Sequence, residues 1–187
     1  AITPDGAGPT ATTDRLVMGP ALTVPYRCNF ATDDQFALWN VTDANNDEYT
    51  WKRETTLAAA YYSYNEDGET GGDDWLVSSP IHLEKNKIYR LKFKLQSYDV
   101  GYPEKVAVHL GTGASVAEQT TLLGDYEVES NTFVEYKVIL PERLESGNYH
   151  ISFHCHSEPY MFILYVTDVL LEEVSEGVLS GVVTHGQ

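Results

Sequence analysis

Residues Asp73–Leu95 read DDWLVSSPIHLEKNKIYRLKFKL, and this stretch decides the fold class of the chain. Its second half alternates strictly: Tyr89, Leu91, Phe93 and Leu95 are apolar, and Arg90, Lys92, Lys94 and Gln96 are polar. Successive side chains of a strand point to opposite faces of the sheet, so this alternation predicts a half-buried β-strand. The first half, Trp75–Val77, is apolar and stops at Pro80, because proline removes a donor from the hydrogen-bond ladder. The stretch therefore predicts two strands joined by a tight polar connection.

Other segments along the chain carry similar strand signals. The sequence predicts strands over Leu22–Phe30, Trp39–Val41, Tyr49–Lys52, Ala58–Tyr64, Lys105–Leu110, Phe133–Leu140, Tyr149–His156 and Met161–Glu172. A helix is the alternative for Ala58–Tyr64, and residues 114–123 have room for a helical turn or two. Short strands separated by turn residues, without a long amphipathic helix, predict an all-β, two-sheet β-sandwich. Strands remote in sequence would pair in it as in a jelly roll.

Length and composition predict the domain organisation. The 187 residues suit one domain, residues 22–174, which is long enough to bury a core without metal or disulfide help. Residues 1–21 are rich in Pro, Gly, Ala and Thr and predict a linker or extended lead-in, and 175–187 predict a linker or the start of a following domain. The chain begins at Ala1 rather than Met, which suggests a mature form or an excised piece. Because it has no run of 18 apolar residues, we expect no membrane insertion.

The chain is strongly acidic. Its 28 Asp and Glu residues outnumber 12 Lys and Arg residues, which gives a net charge of −16. This balance argues against nucleic acid and anionic lipid as partners, because both attract a basic surface. Eleven of the carboxylates fall between residues 31 and 74, where only two basic residues accompany them. Such a cluster is either solvated or neutralised by a bound hard cation, and composition leaves both open.

The loop Asp43-Ala44-Asn45-Asn46-Asp47 is the first candidate site. Oxygen side chains at alternate positions of a curling loop can converge on one point, and Ca²⁺ takes about six to eight oxygen ligands. An EF-hand does not fit, because Glu48 stands where that loop needs glycine. A calcium loop of another type and a solvated turn that caps its own backbone both remain open.

A row of histidines is the second candidate site. His154 and His156 fall on one face of the predicted strand Tyr149–His156, roughly 6.5–7 Å apart along it. Metal enzymes of the cupin type use an H-x-H strand, so a cupin-like metal-dependent enzyme is the alternative function. Its further ligands are not at suitable spacing, because Glu158 follows His156 too soon. A structural or surface row is the other interpretation.

Cysteines and exposed aromatic residues leave further alternatives. Cys28 and Cys155 fall on predicted core faces, where either a disulfide or two buried thiols would fit. The aromatic candidates for stacking on sugar rings, or for the rim of the core, are Trp39, Tyr98, Tyr102 and Tyr160. The sequence contains no nucleophile elbow, P-loop, dinucleotide fingerprint or zinc-finger spacing, so no enzyme class is indicated.

Several segments are more specific by their common order and spacing than any one is alone. They are Pro25-Tyr26 through Phe30, Trp39 to Trp51 with Asp43, Asn45 and Asp47, Asp73 through Ile81, Tyr102 through Val106, Gly111-Thr112-Gly113, Gly147 through His156, and Tyr165 through Val169. Together they make Val24 to Glu173 resemble the cleaved-adhesin family, the β-jelly-roll modules of gingipain haemagglutinin regions and related surface proteins. The DDWLVSSP stretch is the most distinctive.

The resemblance implies a galactose-binding-like jelly roll in a secreted or cell-surface protein, in tandem with neighbouring domains. It also implies a non-catalytic adhesion or carbohydrate-binding module with structural calcium and a host protein or glycan as its ligand. The calcium ligands carried over are Asp43, Asn45, Asp47 and Asp168, with Asp73 as a weaker one. At Asn45-Asn46 the chain departs from the more usual Asp-Gly, which alters the charge and turn geometry of the loop.

Overall fold

The structure is a computed structural model, and it describes residues 20–64 and 69–175. The strands are β1 (Tyr26–Cys28), β2 (Trp39–Asp43), β3 (Lys52–Glu54), β4 (Ala59–Ser63), β5 (Asp74–Ser78), β6 (Ile81–Leu83), β7 (Ile88–Ser97), β8 (Glu104–Gly111), β9 (Thr121–Val128), β10 (Val134–Ile139), β11 (Gly147–Cys155) and β12 (Ile163–Val174). A short helix, α1 (Asp33–Phe36), follows β1, and a 3₁₀ turn spans Val116–Glu118. Within the described residues, no helix has the length and apolarity needed to cross a membrane.

Two antiparallel sheets face each other, which confirms the predicted all-β sandwich. The first sheet has the order β10-β7-β12-β4-β3, and β1 pairs with β12 beyond the segment that β4 covers. The second sheet has the order β2-β5-β11-β8-β9, and β6 pairs with β11. Strands remote in sequence, such as β7 and β12, are neighbours. This is the jelly-roll connectivity that the strand pattern predicts.

The core lies between the sheets and follows the alternation of β7. Leu91, Phe93 and Leu95 are completely buried, and the lysines between them lie on the outer face of the first sheet. The Phe93 ring meets Phe153 of β11 edge-to-face, with ring centroids 5.3 Å apart. On its other side, Phe153 lies 5.9 Å from the Trp39 ring, centroid to centroid. Burial of these aromatic and aliphatic side chains holds the sheets together.

Several elements differ from their predicted extent, and of the predicted strand Tyr49–Lys52 only Lys52 is in a strand, as the first residue of β3. The predicted strand Leu22–Phe30 is limited to β1, because Pro25 has no N–H to donate and Phe30 takes a left-handed φ of 54°. Ala58–Tyr64 is a strand, β4, so the helix alternative is wrong. The helical turns expected over 114–123 shrink to the 3₁₀ turn, and β9 takes the rest by pairing with β8.

Both cysteines are buried free thiols, so the disulfide alternative is not realised. Cys28 lies in β1 of the first sheet, where its Sγ is 4.0 Å from the Gln35 carbonyl oxygen. Cys155 ends β11 of the second sheet, and its Sγ is 3.5 Å from Ser157 Oγ. The linkers predicted at 1–21 and 175–187 fall almost entirely outside the described residues.

We expect Phe153→Ala to lower the free energy of unfolding by about 3–5 kcal/mol, because it removes a fully buried ring from between the sheets. Urea denaturation measures this change. Leu122→Ala is the control, since Leu122 is 58% exposed and should shift stability by no more than about 0.5 kcal/mol. Equal losses in the two variants would contradict the position of the core.

Candidate functional site

One end of the sandwich gathers most of the predicted site residues. β2 ends at Asp43 opposite the start of β5 at Asp74, and Asp74 pairs in turn with Cys155 at the end of β11. In the first sheet, Leu164 near the start of β12 pairs with Ser97 at the end of β7. Four loop segments, residues 44–51, 69–73, 98–103 and 156–162, therefore emerge together, and we call this region the loop end.

The acidic loop 43–47 is organised by its own hydrogen bonds. Asp43 Oδ2 accepts from the Glu48 backbone N–H at 2.9 Å, and Asp43 Oδ1 accepts from that of Asp47 at 3.3 Å. Asp47 accepts from the Tyr49 N–H, and Asn45 Nδ2 donates to the Gly71 carbonyl oxygen, both at 2.9 Å. The structure thus brings Asp43, Asn45 and Asp47 into one turn. These contacts are those of a turn whose side chains cap its own backbone.

Three buried oxygen atoms beside this loop have no hydrogen-bond partner. They are Asn45 Oδ1, Thr50 Oγ1 and Asp74 Oδ1. Asp74 is completely buried, and this burial raises the pKa of its carboxyl to about 7, with the nearby Asp43 and Asp47 charges acting in the same direction. The Thr50 hydroxyl lies beside the Asp74 carboxyl and lowers its pKa against the effect of burial. Buried polar atoms are almost always paired, so the unsatisfied oxygens at this loop suit a hard cation.

The donor set at the loop is mixed in chemistry. Across residues 20–64 and 69–175, no three Asp, Glu, His or Cys side chains are arranged as a metal site. A cation at this loop would therefore use the Asn45 amide, the Thr50 hydroxyl or backbone carbonyls as well as carboxylates. Calcium accepts such a mixed oxygen set. Asp74 was missed by sequence reasoning, and its one signal was a carboxylate at the head of an apolar strand.

Two other predicted calcium ligands are engaged elsewhere. Asp73 Oδ1 lies 2.8 Å from His154 Nε2 and 3.4 Å from Trp75 Nε1. Asp168 lies on the first sheet, where its carboxylate pairs with Lys94 Nζ at 2.8 Å. A register shift in β12 puts Asp168 in a left-handed conformation with φ of 49°. In the structure the Asp73 and Asp168 carboxylates thus have His154 and Lys94 as partners, and their role as calcium ligands stays a prediction.

The two histidines of the H-x-H pattern face separate partners. The His154 ring stacks on Trp75, with centroids 4.0 Å apart and planes at 8°. Burial lowers the pKa of His154, and the hydrogen bond to Asp73 acts in the opposite direction. His156 Nε2 lies 2.8 Å from Asp125 Oδ1. This arrangement is a structural row on the outer face of the second sheet.

A partly exposed group of aromatic rings lies at the loop end. The Phe162 ring has centroids of Tyr98, Tyr64 and Tyr102 at 4.7, 5.2 and 5.8 Å, respectively. We call these four residues the aromatic cluster. Tyr98 is 54% and Tyr102 46% exposed, and Tyr160 on the adjoining loop is 61% exposed. Three of the four predicted ligand-binding aromatics are thus accessible side chains at one end of the molecule.

The fourth predicted ligand-binding aromatic residue, Trp39, is buried, which differs from the prediction. Its side chain is only 4% exposed, and its Nε1 donates to the Tyr26 hydroxyl at 3.1 Å. Trp39 opens β2 with its ring on the core side, packed against Phe30 and Phe153. It belongs to the core and is not available to a ligand.

A buried carboxylate positions the loop that carries Phe162. Glu104, at the start of β8, is completely buried, and its two oxygens accept from Ser157 Oγ and from the Phe162 backbone N–H, each at 2.6 Å. Burial raises the pKa of Glu104, while the two hydrogen bonds act against that rise. Sequence reasoning missed both Glu104 and Phe162, because their contact depends on pairing between distant strands.

No protein-family model and no curated protein matches this sequence, but solved structures do. The K1 cleaved adhesin domain of Lys-gingipain from Porphyromonas gingivalis W83 aligns with a TM-score of 0.65 at 19% identity, over 80% of this chain and 98% of that domain. The K3 cleaved adhesin domain of the same protein gives 0.62 at 19% identity, over 79% and 96%. A carbohydrate-binding module in its apo form, CBM1 of BiXyn10A, gives 0.57 at 14% identity, over 81% and 99%.

The fold is therefore that of jelly-roll adhesin and carbohydrate-binding modules. Within this class, the cleaved adhesin domains of Lys-gingipain are structural neighbours of the chain, so the resemblance seen in the sequence is confirmed at the level of the fold.

Asp74 generates a testable pH dependence. Its folded pKa of about 7 lies above its ordinary 3.8, so the folded protein retains a proton that the unfolded chain loses. Asp74 therefore makes stability fall as pH rises between those values. Without divalent cations, we expect Asp74→Asn to raise the melting temperature relative to wild type, increasingly from roughly pH 5 to pH 7.5.

Melting curves at a series of pH values give this difference directly. Asp34→Asn changes an exposed carboxylate and serves as the control, with a wild-type profile expected. If the Asp74→Asn profile ran parallel to that of wild type, Asp74 would not be protonated in the folded protein.

Proposed function

We propose that this chain is a non-catalytic, extracellular binding module of a larger secreted or cell-surface protein. Its ligand is a host glycan or host protein, bound at the loop end, and other domains of the same polypeptide flank it. The observation that carries the proposal is the aromatic cluster, in which Tyr98 and Tyr102 are exposed although their rings pack on Phe162. The adhesin and carbohydrate-binding neighbours of the fold support the same class of function.

The backbone around the aromatic cluster is fixed before any ligand arrives. The Tyr98 N–H donates to the Ile163 carbonyl oxygen at 2.9 Å, and the Tyr102 N–H donates to that of Asp99 at 3.1 Å. Asp99 Oδ1 also accepts from the Gly101 N–H at 2.7 Å, which closes the turn between the two tyrosines. A preformed site loses less conformational entropy on binding, and tyrosine offers both an apolar ring and a hydroxyl to a sugar.

The alternative function, a cupin-like metal enzyme, has weaker support. It needs His154 and His156 to share an ion with further ligands. Their Nε2 atoms instead contact different carboxylates, those of Asp73 and Asp125. His154 also lies flat on Trp75, so its ring is held by stacking.

We further propose that calcium braces the acidic loop. Asp43, Asn45, Asp47 and Asp74 would hold the ion, which would neutralise their mutual repulsion and provide a partner for the orphaned Asn45 and Asp74 oxygens. The support is the location of these atoms at the junction of β2 and β5, where the loop begins. The ion would act as a structural brace and take no part in chemistry.

For calcium, we expect excess chelator to lower the melting temperature by several degrees, because an ion bound only by the folded state stabilises it by mass action. Asp47→Asn should reduce the shift between calcium and chelator, and Asp34→Asn should leave it unchanged. Differential scanning calorimetry reads both. Identical melting curves with calcium and with chelator would rule out a bound structural ion.

For ligand binding, we propose a glycan-array and host-protein screen of the 187-residue protein, followed by titration of its hits. Tyr98→Ala combined with Tyr102→Ala should weaken binding roughly tenfold or more, because exposed aromatic anchors dominate binding energy. Val134→Ala removes an exposed side chain of β10 and is the control. Hits that bind both variants equally well would place the ligand site elsewhere.

A further inference from the structure

The outer face of the first sheet concentrates positive charge in an otherwise acidic protein. Five of the chain's 12 basic residues lie there: Arg27, Arg90, Lys92, Lys94 and Lys137. They belong to three strands, β1, β7 and β10, and Lys137 stands directly beside Lys92 in the register. The rest of the chain carries the excess of carboxylates. Charge of this kind, gathered on one face, marks a surface for a ligand of opposite sign.

This face is also concave. A groove of about 680 Å³ runs over it, with Lys92, Lys94 and Leu170 among the residues of its floor. Arg27 and Gln35, from β1 and α1, line its side. Its volume lies in the range of about 300–1,000 Å³ that small-molecule sites occupy.

Ion pairs within this face neutralise only part of its positive charge. Glu172 Oε1 accepts from both Lys92 Nζ, at 2.8 Å, and Arg90 Nη2, at 2.7 Å, so one carboxylate serves two cations. Lys94 pairs with Asp168 at 2.8 Å, and Lys137 pairs with Glu135 at 2.9 Å. Arg27 is exposed and forms no ion pair within the described part of the chain. The groove lining itself holds three cations, Arg27, Lys92 and Lys94, and three carboxylates, Glu135, Asp168 and Glu172. Arg90 and Lys137 stand outside the lining on the same face and add two cations to this balance.

We infer that this groove binds an acidic oligosaccharide, one that carries carboxylate or sulfate groups. Lys92 and Lys94 in the groove and Arg90 just outside its lining follow each other on one face of β7 at about 6.5–7 Å. These cations form a regular row, which suits repeated charges better than a single anion. The Asn29 and Gln35 amides, which also line the groove, can hydrogen-bond to hydroxyl groups.

The groove differs from the aromatic cluster in the ligand chemistry it favours. Among the described residues, its lining contains no aromatic side chain, so it offers no stacking platform for neutral sugars. Charge complementarity would therefore supply the recognition, and salt would weaken it. The loop end and the groove use different residues. An experiment can therefore disprove ligand binding at one of them without disproving it at the other.

Isothermal titration calorimetry of the 187-residue protein at low salt tests the inference with three oligosaccharide probes and a nucleic-acid comparison. The probes are a heparin hexasaccharide, a hexagalacturonate and neutral xylohexaose. We expect one or both acidic probes to bind, with affinity that falls as salt rises, and xylohexaose to bind at least tenfold more weakly. The two acidic probes distinguish sulfate from carboxylate recognition. Single-stranded DNA is the fourth arm, and tighter binding of DNA than of either acidic probe would overturn the inference.

Two groove variants should act in opposite directions. Arg27→Gln removes a cation without breaking an ion pair, and it should weaken the acidic probe roughly three- to tenfold, the loss of one charge-assisted hydrogen bond. Glu172→Gln frees Arg90 and Lys92 and should strengthen binding. A merely structural role for these residues would not produce opposite signs.

Lys85→Gln is the matched control, because Lys85 is an exposed lysine whose ion pair with Glu145 lies outside the groove. Tyr98→Ala with Tyr102→Ala should leave the acidic probe unaffected. The inference fails if neither acidic probe binds, if Lys85→Gln weakens binding as much as Arg27→Gln, or if Glu172→Gln weakens it.

Discussion

The two-faced strand β7 is the constraint on which the rest of the structure depends. It lies between β10 and β12, and its buried row of Leu91, Phe93 and Leu95 fills the space between the sheets. Because strand side chains alternate, the same backbone must then present Lys92 and Lys94 to solvent. A slip of one residue would bury the lysines and expose the core. Inter-sheet packing and the charge of the outer groove are thus set by one register.

Two buried carboxylates at the loop end show how differently a buried charge can be accommodated. Glu104 has a hydrogen bond on each oxygen, and these bonds hold the loop that presents Phe162. Asp74 Oδ1 is buried without a partner, close to the charges of Asp43 and Asp47. Glu104 therefore works as a fastening inside the fold. The Asp74 carboxyl lacks a hydrogen-bond partner on one oxygen. A buried polar atom of this kind in a native protein needs a bound ion, a proton or a water molecule.

The sequence correctly predicted those strands whose alternation depends only on neighbouring residues. The alternation of β7, β10 and β11 is visible in the sequence because each strand has one buried face and one exposed face. The strand β9 was missed, since Gly124 breaks its apolar run and a register shift in β8 lies opposite it. Trp39 was misjudged for a related reason: a short strand does not reveal which of its faces meets the second sheet.

The site residues that escaped prediction depend on pairing between distant segments. Asp74 joins the acidic loop only because β2 and β5 align Asp43 with it, and no spacing along the chain records that register. Asp168 lies within the irregularity of β12 and pairs there with Lys94, a contact that the sequence pattern does not show. Counting carboxylates along the sequence finds such residues, but it does not show which of them lie together in the fold.

The strand β12 runs beneath both proposed binding surfaces. It starts at Ile163, next to the aromatic cluster, and reaches the groove at Asp168 and Leu170. Ile163 and Leu170 are seven residues apart on this strand, a span of at most roughly 23 Å that the irregularity at Asp168 shortens. A polymer long enough to touch both would gain avidity from the high local concentration of its second half. Shorter fragments would engage one surface alone, so the affinity of the domain would depend on the length of the polymer.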